Sequence, residues 1–230
     1  MARRSKLEKF AANLRFPNVF ENFDFQEPKL MHNLHEEARL NGHWRQAYFH
    51  NDRELVLELA CGRGEYCLGL AALYPEKNFV GIDIKGARIW KGASIALERK
   101  LHNIAFLRSR IELIPHFFES GEVSEIWITF PDPFPRPSKA NRRLTSTHYL
   151  NIYARILKQG SLLHLKTDDP GLYEFSLETL AQHPDYQILY HNEDIYANVL
   201  PYPELEIKTY YERMHLEAGK KIKYIRALFQ

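Results

Sequence analysis

Beyond about residue 52 the chain alternates between two kinds of hydrophobic pattern. The runs Leu55-Val56-Leu57-Glu58-Leu59 and Asn78-Phe79-Val80-Gly81-Ile82-Asp83 are short and nearly all apolar, as buried strands are. Between them Tyr66 to Leu73 reads as a short helix. Ala87 to Leu101 then places Ile89, Trp90, Ala93, Ala96, Leu97 and Leu101 at three- and four-residue spacing, the stripe of an amphipathic helix. Ile104 to Leu107 returns as a third strand. In the second half, Glu125 to Phe130 predicts a strand, and Thr147 to Leu157 a helix with Thr147 as its cap and Gly160 as its stop. Ser161 to Leu165 is the next strand. Asp168 or Asp169 before Pro170 marks a helix start, with Leu172 to Ala181 as its body. Tyr186 to Tyr190 and Tyr224 to Phe229 read as the last strands, separated by a polar insertion from His191 to about Glu206. Strands alternating with helices predict a doubly wound α/β sheet over residues 51–230.

Residues 1–50 have another texture. Phe10, Phe16, Phe20, Phe23 and Phe25 are mixed with basic and polar residues, and Pro17 and Pro28 interrupt any helix, so this stretch reads as an N-terminal arm. The full length of 230 residues with 45% hydrophobic positions suffices for one large core, and 13% aromatic residues argue against disorder. No run approaches the roughly 18 apolar residues of a membrane span. The start Met1-Ala2-Arg3-Arg4-Ser5-Lys6 leads into no secretory stretch, so the expectation is a soluble, cytoplasmic protein, monomer or homodimer. Cys61 and Cys67 lack the His and Asp company of a structural metal site and read as packing thiols.

The net charge is only +2, but its order along the chain changes the picture. Residues 133–167 hold seven basic side chains and no acid: Arg136, Lys139, Arg142, Arg143, Arg155, Lys158 and Lys166. Residues 167–207 hold nine acids and no Lys or Arg. Such segregation suits a protein with one face for phosphate, although charge blocks are also ordinary solvated surface.

In an open α/β sheet, ligands lie outside the carboxyl ends of the strands. The first such turn is Glu58-Leu59-Ala60-Cys61-Gly62-Arg63-Gly64, whose two glycines let a ligand approach the backbone. A dinucleotide fingerprint needs a third glycine where Cys67 stands, which disfavours a pyrophosphate ligand. Asp83 ends the next strand, 21 residues after Gly62, where a carboxylate can accept both hydroxyl hydrogens of a ribose. A nucleoside ligand without phosphates fits, and S-adenosylmethionine is the candidate. After the strand Ile126-Trp127-Ile128-Thr129 comes Phe130-Pro131-Asp132-Pro133-Phe134-Pro135-Arg136, in which prolines on both sides hold Asp132 with little entropy left to lose. Lys139, Arg142 and Arg143 follow, able to grip a phosphate backbone. A proline-rich turn followed by a solvated basic loop is the plainer reading.

With these motifs the chain resembles the tRNA (guanine-N7)-methyltransferases, which modify a guanine at position 46 of the tRNA variable loop. The resemblance runs from about Leu55 to the C-terminus. It is carried by the Glu58 to Gly64 turn, Asp83, Phe130 to Arg143, Lys166-Thr167-Asp168 and Thr209-Tyr210-Tyr211-Glu212. It implies a Rossmann-like class I S-adenosylmethionine-dependent methyltransferase, with tRNA as partner and the N-terminal arm as a candidate tRNA contact. Glu58, Gly62, Gly64, Asp83 and Arg110 would contact the cofactor, and Asp132 would sit between cofactor and guanine. Arg136, Asp168, Thr209 and Glu212 would serve the substrate, and Lys139, Arg142 and Arg143 the RNA backbone. Three positions depart from the family's pattern: Ala60 replaces a frequent glycine, Phe134 a frequent tryptophan, and Arg110 stands where an Asp close to the adenine is usual.

Guanine N7 has an in-plane lone pair and no proton, so its methylation needs alignment and no general base. A fixed Asp132 carboxylate suits the positive charge arriving on the base. Asp168 or Glu212 could accept the two donors of guanine's Watson–Crick edge, Thr209 could add a hydroxyl, and Tyr210 or Tyr211 could stack on the base or simply pack in the core. Two other functions stay open on the sequence. A methyltransferase for another RNA or a small molecule would differ in salt dependence, and a non-catalytic tRNA-binding protein would fail to bind S-adenosylmethionine.

Overall fold

The computed structural model of the chain describes residues 5–230; Met1 to Arg4, the first part of the expected arm, lie outside the described residues. Two compact units divide the chain, residues 1–119 and 120–230.

In the first unit, helix α1 (Lys6–Asn13) begins with a reciprocal cap. The Ser5 side chain accepts from the Glu8 N–H, and the Glu8 carboxylate accepts from the Ser5 N–H. Strand β1 (Val19–Glu21) follows. The alternating part then runs β2 (Leu55–Leu59), α2 (Glu65–Leu73), β3 (Asn78–Asp83), α3 (Gly86–Glu98) and β4 (Ile104–Arg108). The strand order is β1-β4-β3-β2, and all neighbours are parallel. Every residue of β2 and β3 is buried, as expected of a parallel sheet covered on both faces.

The arm residues are built into this unit. Val19 pairs with Phe106 and Glu21 with Arg108, the latter pair also joined by an ion pair at 3.0 Å. Asn13 donates its side-chain N–H to the Gly86 carbonyl at 2.9 Å, tying α1 to the start of α3. Trp44, fully buried, stacks on Phe118 with centroids 5.3 Å apart and donates its indole N–H to Phe117. A sequence without helical or alternating periodicity hides these contacts, because single aromatic and amide side chains make them.

The second unit contains β5 (Val123–Thr129), α4 (Thr147–Ala154), β6 (Leu157–Thr167), α5 (Pro170–Gln182), β7 (Tyr186–Asn192), α6 (Tyr210–Glu217) and β8 (Lys223–Phe229). β5 and β6 are parallel, whereas β8 runs antiparallel to both β6 and β7. Asp169, not Asp168, caps α5, accepting from the Leu172 N–H at 2.6 Å. Several expected boundaries change. Thr147 is the first helical residue of α4 rather than its cap, and α4 ends at Ala154. Gly160 does not stop this helix; it lies within β6 with φ of 82°, where the pairing slips from Val123–Leu157 to Glu125–Leu162. The extra residues of β6 need a left-handed position there, and glycine takes it without steric cost.

Helix α6 lies just beyond the polar insertion and has no apolar stripe. Its buried side chain is Glu212. Glu212 is paired with Lys166 of β6 at 2.7 Å, both side chains being fully buried. Lys166 also donates to the carbonyls of Leu205 and Ile207, and the Tyr196 hydroxyl donates to Glu212 at 2.7 Å. Burial pushes the Lys166 ammonium's pKa down against the opposing pull of the Glu212 carboxylate. The residues before α6 and the helix itself are thus anchored at a buried ion pair.

Replacing Lys166 by Met strands a buried carboxylate and should cost about 3–5 kcal/mol in urea unfolding. The double variant Lys166→Met/Glu212→Leu should recover most of that loss. A single-variant cost below about 1 kcal/mol, the range of exposed pairs, would show that the pair does not anchor α6.

Candidate active site

The turn after β2 is shaped by left-handed backbone. Ala60, Gly62 and Gly64 have φ of 56°, 58° and 66°. Two of the three are glycine, and Ala60 accepts a conformation that costs an L residue roughly 1–2 kcal/mol. The departure at Ala60 is therefore felt as backbone strain. A β-carbon at Gly64 would run into the Phe106 ring, and one on Gly92 of α3 would lie 2.6 Å from the Arg63 carbonyl and against the same ring. These small residues let α3 and β4 close on the turn. A β-carbon at Gly62, by contrast, would meet nothing within 4 Å, so this part of the backbone is open to a ligand.

Two carboxylates organise the turn. Glu58, buried on β2, accepts from the Cys67 N–H at 2.9 Å and so caps α2 from outside the helix. Asp83, also buried, accepts from Gly62 N–H at 2.9 Å through one oxygen and from Lys85 N–H at 2.7 Å through the other. Each Asp83 oxygen keeps a second lone pair, which suits the two hydroxyls of a ribose. Glu58, Gly62, Gly64 and Asp83 thus lie in one cluster, and the acceptors of Asp83 fit the hydroxyls of an uncharged nucleoside moiety. Arg110 does not join it through its side chain: the guanidinium lies over the Phe25 ring, 4.2 Å from its centroid. Its neighbour Ser109 donates its N–H to the Asp83 carbonyl at 3.3 Å, so backbone of this segment reaches the cluster. Cys61 and Cys67 are buried, and burial, aided by nearby carboxylate, pushes both thiols up. They are packing groups and poor nucleophiles.

In the second unit, β5 and β6 end together, with Thr129 opposite Lys166 and the Phe130 N–H donating to the Lys166 carbonyl. Phe130 and Phe134 both have positive φ, 49° and 42°. A bulky residue in this region is an outlier, and two of them flank Asp132. Asp132 itself is exposed, and its Oδ1 accepts from the Phe134 N–H at 3.2 Å. Asp168, at the end of β6, pairs with Lys220 at 2.5 Å and with the His215 ring at 3.4 Å. His215 of α6 also stacks on Phe130, 5.9 Å between centroids.

The basic block divides. Arg136, Lys139 and Arg142 are exposed, and Arg142 lies over the Phe134 ring at 4.6 Å. Arg143 turns inward instead, donating to the carbonyls of Pro133 and Phe134. The late motif divides too. Thr209 caps α6 by accepting from the Glu212 N–H, and Glu212 is held by Lys166 and Tyr196, so its carboxylate does not face solvent. This corrects the expectation that Glu212 stands ready to read a base: at 0% exposure it is an anchor. Tyr210 and Tyr211 are 50% and 46% exposed, which excludes the core-packing alternative for both. Gly92, Tyr196, His215 and Lys220 belong to no motif that the sequence displays, whereas Thr209 three residues before Glu212 is the cap signal for α6.

Alternating strands and helices, a Gly-x-Gly turn and an acid ending the next strand define a class I S-adenosylmethionine-dependent methyltransferase. Solved structures of that class share the fold. A 16S rRNA methyltransferase, KamB, matches with a TM-score of 0.57 at 15% identity, covering 77% of this chain and 88% of its own. The 16S rRNA (adenine(1408)-N(1))-methyltransferase from Catenulisporales acidiphilia matches with a TM-score of 0.57 at 16% identity, covering 79% and 90%. Residues 52–225 match the family described as "Putative methyltransferase". The tRNA (guanine-N(7)-)-methyltransferase of Christiangramia forsetii is 46% identical over 98% of both chains. That of Porphyromonas gingivalis is 47% identical over 91% of this chain and 84% of its own. The chain belongs to the tRNA (guanine-N(7)-)-methyltransferase family.

The two turn glycines should respond differently to alanine. Gly62→Ala should lower stability by only about 1 kcal/mol, the left-handed penalty, yet weaken S-adenosylmethionine binding in calorimetry. Gly64→Ala adds a clash with Phe106 and should cost about 1–3 kcal/mol more. Equal thermal shifts for the two variants would contradict the packing described here.

Proposed function

We propose that the protein transfers a methyl group from S-adenosylmethionine to N7 of the guanine at position 46 in the tRNA variable loop, in the cytoplasm. The observation that supports this most is likeness at 46% identity across 98% of both chains to a relative named for guanine-N7 methylation of tRNA. When bound, the cofactor supplies a methyl carbon made electrophilic by its sulfonium.

In this reading Asp83 accepts the ribose hydroxyls, while the open backbone at Gly62 receives the rest of the ligand. Glu58 acts from behind, holding α2 on the turn. Arg110 contributes backbone groups, its guanidinium being stacked on Phe25. Since N7 carries no proton, no residue has to serve as a base, and alignment is the main demand. Positive charge arrives on the guanine as the bond forms. The Asp132 carboxylate, exposed and fixed between two prolines, stabilises that charge.

Asp168 is the guanine reader. Its carboxylate accepts from the ring N–H and the amino group of guanine while Lys220 and His215 hold it in place. Adenine would set acceptor against acceptor. Thr209 and Glu212 hold α6 so that exposed Tyr210 and Tyr211 can stack on an unpaired base. Arg136, Lys139 and Arg142 meet phosphates, with α1, whose Lys6 is exposed, as a further RNA contact in the N-terminal segment.

The test is labelled methyl transfer to a tRNA carrying guanine or 7-deazaguanine at position 46. Transfer should occur only to the guanine form, and transfer that survives the deaza substitution would exclude the proposed atom. Asp132→Asn should lower the rate at saturation by about 100-fold or more. Full turnover of that variant would remove Asp132 from the reaction.

A further inference from the structure

The sequence groups Arg143 with Lys139 and Arg142 as a candidate phosphate contact, but the structure directs its donors elsewhere. Its Nε donates to the Pro133 carbonyl at 3.1 Å and its Nη2 to the Phe134 carbonyl at 3.2 Å. The guanidinium also lies over the Phe175 ring of α5, 4.4 Å from the centroid. It is half-buried, whereas Arg136, Lys139 and Arg142 are exposed.

The Pro133 carbonyl and the Phe134 N–H belong to the same planar peptide unit. That unit accepts from Arg143 on its oxygen and donates to Asp132 Oδ1 through its nitrogen. A cation on the oxygen polarises the amide and strengthens its N–H as a donor. The second bond, to the Phe134 carbonyl, holds a phenylalanine whose φ of 42° is otherwise unfavourable. Among Arg and Lys, only the guanidinium fork can span two successive carbonyls while stacking on an aromatic face.

We propose that Arg143 is a positioning residue for Asp132, acting through the Pro133–Phe134 peptide group, and is not a contact to RNA phosphate. This rests on the reading of Asp132 as the carboxylate that stabilises the methylated guanine. The local consequence is that the basic tract contains its own internal strut. Arg143 sets the loop, and the exposed cations before it are left to bind substrate.

Methyl transfer to tRNA is measured for Arg143→Lys, Arg143→Gln, Asp132→Asn and the double variant Asp132→Asn/Arg143→Gln, with thermal unfolding alongside. Arg143→Gln should lose about 100-fold in turnover at saturation, as a displaced reacting group does, with little change in KM for tRNA. Arg143→Lys keeps the charge and serves where Gln fails to fold. It should show most of the same loss, because ammonium cannot reproduce the fork. The double variant should be no slower than Asp132→Asn, since both changes remove one function. Arg143 variants should leave the salt dependence of tRNA binding unchanged.

Additive losses in the double variant would overturn the proposal. So would a raised KM with normal turnover and a salt slope reduced by about 1, the signature of a lost phosphate contact. If Asp132→Asn is slow while the Arg143 variants are normal, the proposal alone fails. If Asp132→Asn turns over normally, the reading of Asp132 fails and the proposal with it.

Discussion

A chain leaving a buried parallel strand must change direction at once, because the strand before it is fully covered and the next element is a helix packed against it. In this protein that reversal uses left-handed backbone at both functional turns: Ala60, Gly62 and Gly64 after β2, and Phe130 and Phe134 after β5. The carboxylate cluster around Asp83 and the Asp132 loop depend on these turns. The first aims the Gly62 N–H at Asp83 and leaves an open side to the backbone, and the second lifts Asp132 clear of the sheet. Glycine takes such angles without steric cost; Ala60, Phe130 and Phe134 do not, and their surroundings must overdetermine them. At Phe134 the surroundings are visible: a guanidinium on its carbonyl and a second one over its ring.

Charge serves two purposes in the second unit. Some charged groups are structural and dry, as in the Lys166–Glu212 pair and its Tyr196 partner, which hold a helix that has no apolar face to bury. Others are wet and available, as Arg136, Lys139 and Arg142 are. Asp168 lies between these cases, largely buried yet flanked by the exposed Lys220, so its carboxylate is oriented without being consumed. Buried pairs of this kind add little net stability against apolar replacements, but removing one partner is severe, which makes them effective at fixing one arrangement.

Because its ends are recognised by local signals, most of the regular architecture was legible in the amino-acid order. β2 and β3 coincide with their apolar runs, and Asp169-Pro170 opens α5 as cap and first residue. The misreadings have physical causes. Gly160 satisfies a slipped strand register instead of a helix end, and α6 is anchored by polar contacts, the buried Lys166–Glu212 pair among them, that apolar periodicity cannot show. The N-terminal segment pairs as β1 through only three residues, too short a run for any pattern.

The sequence by itself determined the order of strands and helices, the acids and glycines at strand ends, and the family, because these depend on local spacing and on residue types that few folds place together. Only the tertiary structure decided how like residues divide their work. Arg142 and Arg143 are adjacent in the chain, yet one is exposed and the other clamps the Asp132 loop. Asp168 and Glu212 are both acids of the family motifs, yet one stays partly accessible and the other is sealed against Lys166. Which way a side chain points, and which partner reaches it first, is set by contacts between residues far apart in the chain.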